Sequence, residues 1–164
     1  MGDQNEAVLA QAVRLREEGS ARARERLVDL ADRHPQDAAV AYQAAWAHDS
    51  AELEAEAVPF YERALGGTGL SAEDRHGAYL GLGSTYRVLG RYDESLTTLR
   101  RALDEFPEDA ALLTFLAMAL YNVGESRQAV RTLLKVVVAT SGDARVREYR
   151  RAIGYYADNL DETQ

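Results

Sequence analysis

Residues 80–92 read LGLGSTYRVLGRY, and the meaning of their glycines decides the fold. Gly81, Gly83 and Gly90 resemble a loop that cradles phosphates. The dinucleotide fingerprint, however, needs a third glycine three residues after Gly83, where Tyr86 stands. It also follows a strand, and the preceding DRHGAYL, residues 74–80, has no β-branched run. A P-loop needs Gly-Lys-Ser/Thr, and the only lysine in the chain is Lys135. These glycines do not hold a nucleotide.

Their spacing gives the alternative. Gly90 and Gly124 are 34 residues apart, as are Leu82 and Leu116, and Tyr86 and Leu120. Ala23 and Ala57 keep the same offset, as do Leu27 and Tyr61. Pro35 and Pro107 are 72 apart, two periods plus four, and the extra residues lie in GGTGLSAEDR at 66–75. Tyr79, Leu82, Gly83 and Tyr86 fall at i, i+3, i+4 and i+7, one stripe of a helix. Gly83 and Ala102 are small residues on successive helices and permit close backbone approach. Gly90 suits the left-handed position just past a helix, and Asp93 and Glu94 suit the positive start of the next.

This pattern resembles the tetratricopeptide repeat family, whose unit is a 34-residue helix–turn–helix. The copy at 76–109 carries Tyr79, Leu82, Gly83, Tyr86, Gly90, Tyr92, Ala102 and Pro107 on signature positions, with Ser95 where the family usually has Ala. The copy at 110–143 keeps Leu113, Leu116, Ala117, Leu120, Gly124 and Ala129, with Ser141 in place of the proline. Copies at 38–71 and 4–37 keep mainly the second-helix positions Ala57, Tyr61 and Ala64, and Ala23, Leu27 and Pro35. The resemblance implies an all-α fold: a right-handed superhelical solenoid of four hairpins, plus a capping helix over 144–160, in a single domain 1–164. Helices are expected at 4–18, 20–34, 37–49, 52–66, 72–89, 92–106, 108–123, 126–140 and 143–160. Ser71 with Asp74 starts the fifth of these one turn early, Pro59 should kink the fourth, and the VVV at 136–138 should be helical despite its local strand preference. On the last helix, Val146, Tyr149, Ile153, Tyr156 and Leu160 form the expected apolar stripe. AIGYYADNL at the C-terminus and the compact length resemble small stand-alone bacterial members of the family, from which a homodimer is expected.

Composition agrees. A chain of 164 residues and 18.1 kDa suits one domain, which buries about 68–70% of its unfolded surface. With 46% apolar and 28% charged residues it reads as globular. There are no cysteines, so disulfides, Cys-based zinc sites and thiol nucleophiles are out, as suits a reducing cytoplasm. The first residues lack a basic-then-apolar leader, and the apolar run at 110–121 is about half the ~20 residues a membrane helix needs. A net charge of −8 opposes nucleic acid and anionic lipid. Residues 36–71 concentrate this bias: Asp37, Asp49, Glu52, Glu54, Glu56 and Glu62 face only Arg63. Residues 110–143 carry Glu125 and Asp143 against Arg127, Arg131 and Lys135.

Catalytic chemistry is missing. His34, His48 and His76 share no metal-ligand spacing, and Glu52, Glu54 and Glu56 fall on different helix faces. His48 takes a core or boundary position. No enzyme, metal or cofactor is expected. A protein-interaction module is, with a subunit or regulator of an enzyme complex, or an enzyme with a hidden site, as the alternatives. In the family, first helices line a concave groove, and its positions fall here on Val8, Ala12 and Leu15; Tyr42, Trp46 and Asp49; Leu80, Ser84 and Arg87; Thr114, Met118 and Tyr121. The expected partner surface is Leu15, Tyr42, Trp46, Leu80, Arg87, Met118 and Tyr121, filled by an apolar peptide, a helix or a second copy of the chain. The family's clamp for acidic peptide tails uses Lys, Asn and Arg; those positions hold Val8, Ala12, Gln43, Gly77 and Gly81, so that clamp is absent.

Overall fold

The computed structural model describes residues 2–163, and over these it is helical, with no strand. The helices are α1 (Gly2–Glu18), α2 (Ala21–Arg33), α3 (Ala38–Asp49), α4 (Glu54–Gly66), α5 (Ala72–Val88), α6 (Tyr92–Glu105), α7 (Ala110–Asn122), α8 (Ser126–Thr140) and α9 (Ala144–Asp158). Each lies within about two residues of its expected span. The chain divides into two compact units, the first ending at Arg91 and the second beginning at Tyr92. Of the expected domain 1–164, Met1 and Gln164 lie outside the described residues.

Local chemistry sets the boundaries. Side chains of Ser20, Asp37, Ser71, Asp109 and Asp143 accept backbone N–H groups at the starts of α2, α3, α5, α7 and α9. Each satisfies donors that have no partner within the helix. Ser71 accepts from the Asp74 N–H at 3.0 Å, which starts α5 early enough to absorb the four extra residues. One shared turn leads instead into α4, α6 and α8. In it the N–H of Leu53, Arg91 and Glu125 donates to the carbonyl of His48, Tyr86 and Leu120, at 3.0, 2.8 and 2.9 Å. The preceding residue is left-handed in each case: Glu52 at φ 58°, Gly90 at 74° and Gly124 at 86°. The first of these was not evident in the sequence because glutamate stands where the other copies have glycine. Pro59 lies inside α4, which continues through it, and the VVV at 136–138 lies inside α8.

In the first unit α1 packs on α2 and α3, α3 packs on α4, and α5 packs on α4 and α3. Its core joins Ala12 and Leu15 of α1, Ala23, Leu27, Leu30 and Ala31 of α2, and Val40, Ala44 and Ala47 of α3. In the second unit α7 packs on α6 and α8, and α9 closes on α8. The stripe on α9 is rotated from the expected one. Ala157 is buried and Val146, Ile153 and, just past the helix end, Leu160 are half-buried, while Tyr149 and Tyr156 are exposed. Arg131 and Lys135 of α8 both reach the Asp158 carboxylate, at 2.6 and 2.9 Å, and bind α8 to the end of α9.

Candidate functional site: an aromatic and carboxylate face on the first helices

Trp46, the chain's only tryptophan, stands on α3, which packs on α1 and on α5 in the first unit. Trp46 is 40% exposed although most of α3 is buried. The Arg16 guanidinium lies 3.8 Å from its ring centroid, a cation–π contact, and is also paired with Glu17 at 3.3 Å. Tyr42, one turn before Trp46, has its ring 5.8 Å away, and the Tyr61 ring is 6.4 Å from Tyr42. Asp49 completes the i, i+4, i+7 trio of α3. Its carboxylate accepts the Tyr61 hydroxyl at 2.9 Å and the Thr85 hydroxyl at 3.2 Å, joining α3 to α4 and α5. Burial, and then the Asp49 charge, pushes the Tyr61 phenol far above its ordinary range. Burial raises Tyr42 too, reinforced by Asp74 and Glu73 and opposed by Arg16.

Two glycines make room for this arrangement. A Cβ on Gly77 would collide with the Tyr42 hydroxyl, and one on Gly81 would collide with the ring and hydroxyl of Tyr61. At Gly77 and Gly81 this chain thus has bare backbone overlaid by tyrosine.

The structure distributes the expected groove residues unevenly. Leu15 (4% exposed) and Tyr42 (7%) are core, a correction to their placement on the partner surface. The reason is that α1 turns its apolar side onto both α2 and α3, and that Tyr42 inserts beside Gly77. Leu80 and Arg87 are half-buried, and the Arg87 Nε is buried without a hydrogen-bond partner. In the second unit Met118 (39%) and Tyr121 (68%) stand exposed on α7. Arg16 and Tyr61 escaped the sequence reading. Arg16 follows the expected groove residue Leu15 directly, so one step in register separates core from surface. Tyr61 was legible only as a second-helix packing position.

Two of the histidines have structural roles. His48 is buried, its Nδ1 lies 2.7 Å from the Ala44 carbonyl, and its ring stacks on Phe60 at 5.3 Å. His34 is the C-cap of α2. Among the described residues no group of three His, Cys, Asp or Glu side chains is placed to hold a metal ion. A cleft of about 350 Å³ at the starts of α1 and α3 includes Asn5, Glu6, Asp37 and Thr68 in its wall. Its Asp37 carboxylate is committed to the α3 N-terminus. No described helix is long and apolar enough to cross a membrane.

No curated protein matches the chain. The family model of the tetratrico peptide repeat matches residues 38–160, which span the hairpins from α3 through α9. With three-quarters of its length inside that match, the chain belongs to the tetratrico peptide repeat family.

Proposed function

We propose that this protein is a non-enzymatic, cytoplasmic interaction module, and that a partner protein docks on the face built around Trp46. Repeats of this family generally mediate protein–protein contacts. The observation that carries the reading is the exposure of Trp46 on an otherwise buried helix, braced by Arg16 and Tyr42. An exposed tryptophan held by a rigid support is the kind of residue that anchors interfaces, because it supplies area at little cost in side-chain freedom. On this reading Leu80 and Arg87 of α5 belong to the same partner surface. In the second unit Met118 and Tyr121 offer a separate contact surface on α7. The test is capture of proteins from the native host's lysate by wild type and by Trp46→Ala. Loss of specific partners with unchanged folding supports the face, and identical capture removes it.

Self-association is a second reading, favoured by a different observation. Val130, Leu133 and Val137 form an exposed i, i+3, i+7 stripe on α8, and Tyr149 and Tyr156 are exposed on α9. Analytical ultracentrifugation of wild type and Leu133→Asp tests it. A dimer that the substitution dissociates supports a homodimer, and a monomeric wild type excludes one.

A further inference from the structure

Asp49 is a half-buried carboxylate whose bonds come from two neutral hydroxyls. Among the described residues no cation is ion-paired with it. Each carboxylate oxygen has two acceptor sites, so one on each is left after Tyr61 and Thr85 have bonded. The strongest bond that a carboxylate with open acceptor sites can receive is a charge-assisted one from an ammonium or guanidinium.

Trp46 lies three residues earlier on the same helix, and side chains at that spacing are neighbours on the helix surface. Its ring already holds one guanidinium, that of Arg16, at 3.8 Å. Thus the face accepts a cation over an aromatic ring, and it does so next to an oriented carboxylate. The surrounding charge points the same way. Glu73 and Asp74 lie within electrostatic reach of Tyr42, whose ring is 5.8 Å from that of Trp46. Two cations belong to the face itself. Arg16 is engaged by Glu17, and Arg87 is half-buried near the end of α5. A field of this sign draws cationic segments in and turns acidic ones away.

We infer that the Trp46 face docks a cationic segment of a partner protein, with an Arg or Lys side chain set over Trp46 and bonded to Asp49. The inference rests on the docking face proposed above and names the chemistry of its occupant. Arg16 is then an internal stand-in: it fills part of the seat in the free protein and shares it with, or yields it to, the incoming cation. This polarity is the reverse of a clamp for acidic tails, whose positions here are Val8, Ala12, Gln43, Gly77 and Gly81.

Because Trp46 is the only tryptophan, its fluorescence reports the seat directly. The titrants are three blocked alanine-based octapeptides carrying two arginines, two glutamates or two leucines. The arginine peptide is expected to give a saturable change, weakened by added salt, while the glutamate peptide gives none. Asp49→Asn should weaken arginine-peptide binding at least tenfold. Glu56→Gln, on exposed α4 surface, should leave it within twofold. Equal weakening by both substitutions would mean diffuse charge rather than a seat, and would overturn the inference. Asp49→Asn leaves an amide to satisfy Tyr61 and Thr85 and could disturb the fold, so Trp46→Leu, followed by calorimetry, is the second variant. Its affinity should fall severalfold, and an unchanged affinity overturns the inference. Binding of the leucine peptide without the arginine peptide overturns the cationic occupant and leaves the docking face standing. Silence from all three peptides also overturns it, and the lysate capture with Trp46→Ala then decides the docking face by itself.

Discussion

A Cβ placed on Gly81 would stand 2.8 Å from Cε1 of Tyr61, and closer still to the ring carbon Cζ and the hydroxyl oxygen. Tyr61 is buried and its hydroxyl is bonded to Asp49, so the ring cannot swing away without breaking that bond. Replacing an interior helical glycine by alanine normally gains about 1 kcal/mol of helix propensity. Overpacking a filled site costs about 1–3 kcal/mol, and a clash with a pinned aromatic ring belongs at the upper end. Gly81→Ala is therefore expected to lower stability by a net of about 1–2 kcal/mol, measured by urea unfolding. A variant as stable as wild type would show that the Tyr61 ring has room to move.

Gly77 offers a sharper version. Its Cβ would meet the Tyr42 hydroxyl first, and the ring carbon Cζ only at 3.1 Å. Removing that hydroxyl should relieve most of the clash. Gly77→Ala is expected to destabilise alone and to be substantially rescued by Tyr42→Phe, with a coupling of about 0.5–3 kcal/mol in a double-mutant cycle. Additive effects would place the strain elsewhere.

The turn after α3 contains a strained residue. Glu52 adopts φ 58°, where the equivalent residues of later turns are Gly90 and Gly124. An L-residue in the left-handed region costs roughly 1–2 kcal/mol, part of which glycine returns through its greater freedom in the unfolded chain. Glu52→Gly should stabilise the protein by about 0.5–1 kcal/mol in chemical denaturation. A destabilised variant would mean that the Glu52 side chain contributes more than its backbone strain costs.

Much of the fold could be read because helix periodicity, capping residues and the 34-residue repeat agree with one another. Ser71, Gly90 and Gly124 each occupy the position their chemistry demands. The face was harder to read. Leu15 and Arg16 are adjacent, and which of them meets Trp46 depends on the rotation of α1 against α3. Periodicity alone does not fix that rotation, because α1 is apolar enough on its inner side to serve two neighbours. Asp49 was legible as a groove position, but its bonds to Tyr61 and Thr85 span 12 and 36 residues and depend on packing. In the sequence Gly77 and Gly81 mark only a missing clamp; that they also admit two tyrosines depends on how α5 packs against α3 and α4.

The bond between α8 and α9 predicts a pH dependence. Its hydrogen bond to Lys135, reinforced by Arg131, holds the Asp158 carboxyl below its ordinary value. A carboxyl depressed in the folded state contributes stability above its unfolded pKa, about 3.9, and loses it as pH falls through the lower folded value. Asp158→Asn should thus lower the melting temperature slightly at pH 7, and the difference from wild type should close in acid. Because the group is exposed, added salt should shrink the difference at neutral pH. A gap that persists well below the unfolded pKa would assign the effect to something other than the charge.

Exposure separates the residues of the docking face from those beneath it. Trp46 and Tyr121 are 40% and 68% exposed, so truncating either leaves no large cavity. Leu15 and Tyr42 are buried, and truncation there removes core. Trp46→Ala and Tyr121→Ala are expected to melt near wild type, shifting stability by well under about 2 kcal/mol, whereas Leu15→Ala should cost about 2–5 kcal/mol. Binding should sort in another way. An aromatic anchor costs about 2 kcal/mol or more of affinity when truncated, so Trp46→Ala should weaken partner capture roughly thirtyfold or more. Tyr121 lies in the second unit and reports on its own surface. If Tyr121→Ala alone weakens capture, the partner docks on α7 and not on the Trp46 face. If neither truncation alters capture while Leu133→Asp does, the interface lies on the α8 stripe. A collapse in the melting of Trp46→Ala would make Trp46 structural, with its exposed ring a by-product of packing.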